Sequence, residues 1–438
     1  MMKFLLMMIF SVGLFFFNNK FNKFIICFFL SMFMFFCNSY STNLWVGGMS
    51  LFYLDFYSYY LIILSLWLVG CVLLLNLNNF LMLMIYLLMN ILVLSFLVFN
   101  LMIFYLLFEM SLLPIFFLIM MGGYSFERLE AAMYMLMYTV ISSMPFLWMI
   151  LNVYSSFKSL MIIYMIFGMM KLGWILYYCF LFTFLIKIPM FIFHIWLPKA
   201  HVEAPVYGSM ILAGVLLKLG SYGVLRLIQI FLIDSIIYGF YLISLLIVGS
   251  VLVSFVCLMQ VDLKMLVAYS SVVHMGLMIA GMLTLTKTGF IGGFMMMLAH
   301  GLCSSGLFYL VNLNYERMGS RLMFMNKGSL TINPSLGLFW FLLCSSNLAA
   351  PVSLNLISEI CLLISLMCWN FKLMLFLMIL SFVSASYSLY LFSFSQHGGV
   401  TNLLMNYKPV NLKDFFMLMI HWFPLNILFL NLSLFMYI

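Results

Sequence analysis

The chain has 438 residues, 67% of them hydrophobic and only 6% charged, against roughly 25% charged residues in a soluble domain. That composition excludes a water-soluble fold and, at about 20 residues per span plus a short connection, leaves room for roughly fourteen transmembrane helices. The net charge of +8 arises from 18 basic residues scattered singly and never in a run, so a nucleic-acid surface is excluded and their expected role is to set topology.

In chain order, apolar windows fall at residues 4–17, 24–37, 53–75, 79–99, 101–121, 131–151, 174–197, 206–230, 235–257, 263–283, 288–313, 336–368, 373–395 and 413–437. They are continuous rather than alternating, which favours helices over a transmembrane barrel. The opening MMKFLLMMIFSVGLFFF has the basic start and apolar core of a signal peptide, but no small-residue cleavage pattern follows, so it reads as the first span. Window 336–368 is too long for one straight span and contains Ser345-Ser346-Asn347 and Pro351, so it reads as two half-helices around a break. The nine cysteines lie in apolar segments or at their ends, with no C-x-x-C spacing. Neither a metal site nor a disulfide framework is expected from them.

Sorted by connection, Lys20, Lys23, Arg128, Lys199, Lys264, Arg317, Arg321, Lys327, Lys408 and Lys413 fall on one side of the membrane, ten in all. Lys3, Lys158, Lys171, Arg226, Lys287 and Lys372 fall on the other, six in all. The positive-inside rule then turns the first side to the cytoplasm or its organellar equivalent. Lys187 and Lys218 belong to no connection, because both fall inside spans.

Glu109 and Lys218 are near the middle of their windows, where insertion scales assign an ionised side chain roughly 2.5–3.5 kcal/mol. A structural ion pair or a snorkelling lysine is the plain explanation, but Lys218 is about twelve residues from either end of its window and cannot easily reach water. Lys187 comes with Pro189 in KIPMFIFHIWLPKAHVEAP, and proline frees carbonyls that lipid tolerates only where they face protein or a water-filled cavity. Pro351 precedes Glu359 in a similar association. Paired interrupted helices point to an inverted-repeat transporter. Its repeats would be residues 79–230 (segments four to eight) and 231–396 (segments nine to thirteen), with 1–78 holding the first three helices and 397–438 the last. His300 is mid-span and either hydrogen-bonds across helices or relays protons. His194 and His201 flank the WLPKA turn and either line a polar access path or cap it, His274 is a candidate to extend a water chain, and His397 and His421 read as interface residues.

The block IKIPMFIFHIWLPKAHVEAPVYGSMILAGVLLKLGSYGVLR resembles the signature of the antiporter-like membrane subunits of respiratory complex I. QVDLKMLVAYSSVVHMG, LAHGLCSSGLFYLVNLNYERMGSR and NLAAPVSLNLISEI resemble successive further blocks, in order, from about Leu101 to Gln396. The resemblance implies an all-α polytopic membrane protein of about fourteen transmembrane helices, with two inverted five-helix repeats and breaks in the seventh and twelfth helices. It implies that Glu109 and Lys187 form the switchable pair of the first half-channel, at a hinge opened by Pro189. Lys218 would be the central lysine, His300 the central histidine and Glu359 the terminal glutamate of the second half-channel. It further implies proton translocation coupled to electron transfer from NADH to ubiquinone. NADH, FMN, Fe–S clusters and ubiquinone would all be held by other subunits, and this chain would bind no cofactor or metal. The implied partners are neighbouring antiporter-like subunits and bilayer lipids, cardiolipin among them, with no nucleic acid. The Met and Phe usage fits a mitochondrially encoded chain of the inner membrane, with the basic side facing the matrix. Two other readings compete: an Mrp-like cation/proton antiporter with the same charged axis, and a membrane scaffold in which the charges are structural ion pairs.

Overall fold

In the computed structural model, the described residues are 52–75, 77–123, 125–168, 171–399 and 409–435. The expected spans 4–17 and 24–37 lie outside them, as do Lys3, Lys20, Lys23 and Lys408. Among the described residues all regular structure is helical, accompanied by isolated β-bridges such as Phe52 to Val98.

The helices are α1 (Phe56–Leu73), α2 (Asn79–Leu97), α3 (Leu101–Met110), α4 (Leu112–Gly122), α5 (Arg128–Phe157), α6 (Ile162–Gly168), α7 (Trp174–Lys187), α8 (Trp196–Glu203), α9 (Val206–Ile230), α10 (Leu232–Leu258), α11 (Leu263–Leu283), α12 (Lys287–Met318), α13 (Pro334–Asn347), α14 (Leu354–Trp369), α15 (Met374–Gln396) and α16 (Leu412–Leu430). Among the described residues, ten candidate spans are long and apolar enough to cross a membrane, with α3 and α4 counting as one and α15 extended back to Phe371; α7 and α14 are shorter apolar helices. Local chemistry fixes several ends. Asn100 accepts from the Met102 N–H at 3.0 Å to start α3, and Thr286 accepts from the Gly289 N–H at 3.1 Å to start α12. α12 stops where Gly319 turns left-handed, at φ 68°. It runs five residues past its apolar window, because the polar NYERM stretch completes the helix before that glycine.

The chain divides into two compact units: the residues up to Ile188 with Glu203–Tyr238, and Pro189–Val202 with Gly239 onward. In the first, α7 packs on α5 and α9, and α1 on α2. In the second, α12 is the hub, packed against α11, α13, α14 and α16. The central windows of α9 and α12 are buried throughout.

Two connections interrupt the helices. α7 ends at Lys187, and α8 begins only at Trp196, with Pro189 and a left-handed Ile192 (φ 85°) between them. α13 ends at Asn347 and α14 begins at Leu354, with Ala349 (φ 63°), Pro351 and Val352 (φ 69°) between. A β-branched residue at positive φ costs on the order of 1–3 kcal/mol and persists only where its surroundings hold it. In the second connection they visibly do: the Asn355 side chain donates to the Ser346 carbonyl at 2.7 Å and the Ser353 hydroxyl to the Ala350 carbonyl at 2.6 Å.

Candidate functional site

In the first unit, Pro114 lacks the N–H that would bond the Met110 carbonyl, and the helix is interrupted at Ser111, between α3 and α4. Beside this interruption the Phe108 carbonyl accepts from both the Ser111 hydroxyl (2.6 Å) and the Lys187 ammonium (3.0 Å). Lys187 also reaches Ser111 Oγ at 3.4 Å and lies 3.1 Å above the Phe108 ring centroid. The buried cation is therefore held by a carbonyl, a hydroxyl and an aromatic face. Glu109, the neighbouring residue, is half-buried, its Oε1 has no hydrogen-bond partner among the described residues, and it makes no ion pair with Lys187 within 4 Å.

Lys218 is fully buried in α9 and donates to the Ala213 carbonyl at 2.6 Å. Residues Leu212–Leu216 form a π-helical turn, whose i→i+5 spacing is wider than the α-helical one. This wide turn supplies the carbonyl that the lysine uses. Tyr222 and Arg226 continue the same face at i+4 and i+8. Arg226 is buried, not part of a connection as its place at a window edge suggested. It pairs with Asp55 at 2.6 Å, donates to the Tyr222 hydroxyl at 2.8 Å and lies over the Phe99 and Tyr222 rings. Tyr222 in turn donates to the Phe96 carbonyl at 3.1 Å.

In the second unit, His274 of α11 joins three other helices. Its Nδ1 is 3.3 Å from Glu359 Oε1 on α14, its Nε2 is 3.2 Å from the Tyr387 hydroxyl on α15, and its ring centroid is 5.9 Å from that of His300 on α12. All except Glu359, which is 15% exposed, are buried. His201 is buried and stacked on Phe308 at 4.5 Å, while His194 is half-buried against Phe191 and Tyr269. His397 is exposed. His421, by contrast, is no interface residue: it is buried in α16 on the side packed against α12, with Nδ1 2.7 Å from the Met417 carbonyl. Lys264 is also buried; it and Arg321 both donate to the Val202 carbonyl at the end of α8.

Thus Glu359, His274 and His300 come together in one unit, and Glu109 and Lys187 are neighbours in the other. Asp55, Arg226 and Tyr387 were not anticipated. Asp55 is the single acidic residue of its apolar stretch, which is a detectable signal, whereas Tyr387 is one of 25 tyrosines and carries none.

Ionisable side chains enclosed within spans, together with interrupted helices, define the class: a polytopic helical membrane protein of the antiporter-like kind. The family model described as NADH:quinone oxidoreductase/Mrp antiporter, TM, matches residues 98–384. Near-full-length relatives include NADH-ubiquinone oxidoreductase chain 4 of Aedes aegypti, 47% identical over 98% of both chains. The same-named chain of Ceratitis capitata is 43% identical, again over 98% of both. The chain therefore belongs to the NADH-ubiquinone oxidoreductase chain 4 family. The same fold occurs in a chain of respiratory complex I from Thermus thermophilus with bound NADH (TM-score 0.87, 21% identity, covering 97% of this chain and 94% of that one). It occurs also in the Mrp complex from Dietzia sp. (TM-score 0.84, 15% identity, covering 98% and 91%).

Proposed function

We propose that this chain is a proton-translocating subunit of the membrane arm of NADH:ubiquinone oxidoreductase, in the mitochondrial inner membrane, with no redox chemistry of its own. The observation that carries this reading is Lys218, fully buried in a span whose central window is buried throughout. An ionised side chain at such a depth costs roughly 2.5–3.5 kcal/mol, so its retention calls for a use. In this reading Glu109 and Lys187 load protons in the first unit, Lys218 stores one at the π-turn, and His300, His274 and Glu359 release protons in the second. Residues 79–230 and 231–396 are the two inverted repeats, and Pro189 and Pro351 mark the breaks that let the charged residues change partners. NADH, FMN, Fe–S clusters and ubiquinone act in other subunits, and the neighbours of this chain are antiporter-like subunits and lipid.

The test is Lys218→Ala in the assembled complex, reconstituted in liposomes, with protons moved per electron pair as the readout. We expect assembly to survive and the ratio to fall; an unchanged ratio would end the reading. The fold likeness to a chain of an Mrp complex favours a second reading, a stand-alone or Mrp-like cation/proton antiporter. Transport by the purified single chain in liposomes separates the two. The 47% identity to a chain 4 relative, against 15% to the Mrp chain, weighs for the complex-bound role.

A further inference from the structure

We propose that Tyr387 is a positioning residue that keeps the ring proton of neutral His274 on Nδ1, facing Glu359. The inference rests on the proton-translocating reading and adds to it a residue that no sequence motif marks.

Tyr387 is fully buried, and its one hydrogen-bond partner among the described residues is His274 Nε2, at 3.2 Å. A neutral imidazole has one N–H donor and one bare acceptor nitrogen, and their assignment depends on the surroundings. On the Nδ1 side stands the Glu359 carboxylate, 3.3 Å away, which when ionised can only accept. On the Nε2 side stands a phenol, which has a proton to give. With the proton on Nδ1, both contacts are donor to acceptor: Nδ1–H to Glu359, and the Tyr387 O–H to Nε2. With the proton on Nε2, the bare Nδ1 lone pair faces the carboxylate and the phenol proton loses its acceptor inside a buried site, where an unmade bond is expensive. Full protonation of the ring likewise turns Tyr387 from donor to acceptor and strands its proton. The hydroxyl thereby both fixes the tautomer and opposes a lasting imidazolium, so that an excess proton is returned to Glu359 or passed onward. The titratable groups facing His274 are Glu359 of α14, His300 of α12 and Tyr387 of α15, with the Cys257 and Cys303 thiols in range of Tyr387.

Tyr387→Phe removes the hydroxyl and keeps the ring, and it is compared with Glu359→Gln in the assembled complex in liposomes. We expect Tyr387→Phe to assemble and to lower proton translocation per electron pair at neutral pH. With the ring proton no longer fixed on Nδ1, the acid limb of the translocation profile should move. A packing role alone would leave that limb in place. If Glu359→Gln abolishes translocation while Tyr387→Phe leaves the profile unchanged, the positioning role is overturned and the broader reading stands. If Glu359→Gln itself has no effect, the broader reading fails and this inference goes with it. Nitrogen NMR of the wild-type ring provides a measurement free of any variant: a protonated Nδ1 and a bare Nε2 are expected, and the opposite tautomer refutes the proposal.

Discussion

Lys218 and Arg226 lie eight residues apart on one face of α9, yet their burial is compensated differently. Lys218 uses a carbonyl that its own helix supplies through a π-turn. Arg226 uses a distant carboxylate, Asp55, which it meets at Oδ2, while Oδ1 has no hydrogen-bond partner among the described residues. Removing one member of such a pair leaves a buried charge without compensation, so Arg226→Ala should destabilise the fold by about 3–5 kcal/mol. The Asp55→Ala/Arg226→Ala double variant should lose less than the Arg226 single variant, with thermal unfolding of the assembled complex as the check. Additive losses would mean that the two side chains act independently. The lysines were legible in the sequence because each stands inside an apolar window. Arg226 was not, because at a window edge a basic residue looks like a topology signal, and its partner is 171 positions away. The π-turn was hidden as well, since ILAGVLLK reads as ordinary helix until hydrogen bonds are seen.

The helices were more legible than the residues that join them. Continuous apolar runs between polar breaks locate most spans, whereas α6 was missed because its seven residues fall short of a span. Contact between helices depends on side-chain volume, which periodicity does not reveal. α7, which ends in Lys187, seats against α9 at two glycines one turn apart. A Cβ on Gly220 would come within 2.7 Å of Ile188 Cγ1, and one on Gly223 would collide with the Phe184 ring. Phe184 itself stacks on Phe104 and meets Phe108 and Phe146 edge to face, so it has little room to yield. Overpacking of this kind costs about 1–3 kcal/mol. Gly223→Ala should therefore push α7 outward, draw Lys187 off the Phe108 carbonyl and lower both complex stability and proton translocation. Gly173→Ala, with open space around it at the start of α7, is the matched control and should do neither. Equal effects from the two variants would show that close approach at Gly223 does not position the lysine.

At the scale of the whole chain, burial changes what the basic residues say about orientation. Setting aside the buried Arg226 and Lys264 leaves nine basic residues on one side against five on the other, so the bias keeps its direction. The second unit allows an independent test, because its helices fix which connections share a side. α12 begins at Lys287 and ends beside Arg317, which puts these two at opposite membrane faces. Arg321 and Lys264 both bond the Val202 carbonyl, so they share the Arg317 end. α13 and α14 then carry the chain back, which puts Lys372 with Lys287. The basic end should face the matrix. In a Cys368→Ser background, needed because Cys368 is exposed, Met325→Cys should react with a membrane-impermeant thiol reagent only from the matrix side, and Lys372→Cys only from the other. Reversed labelling would invert the orientation.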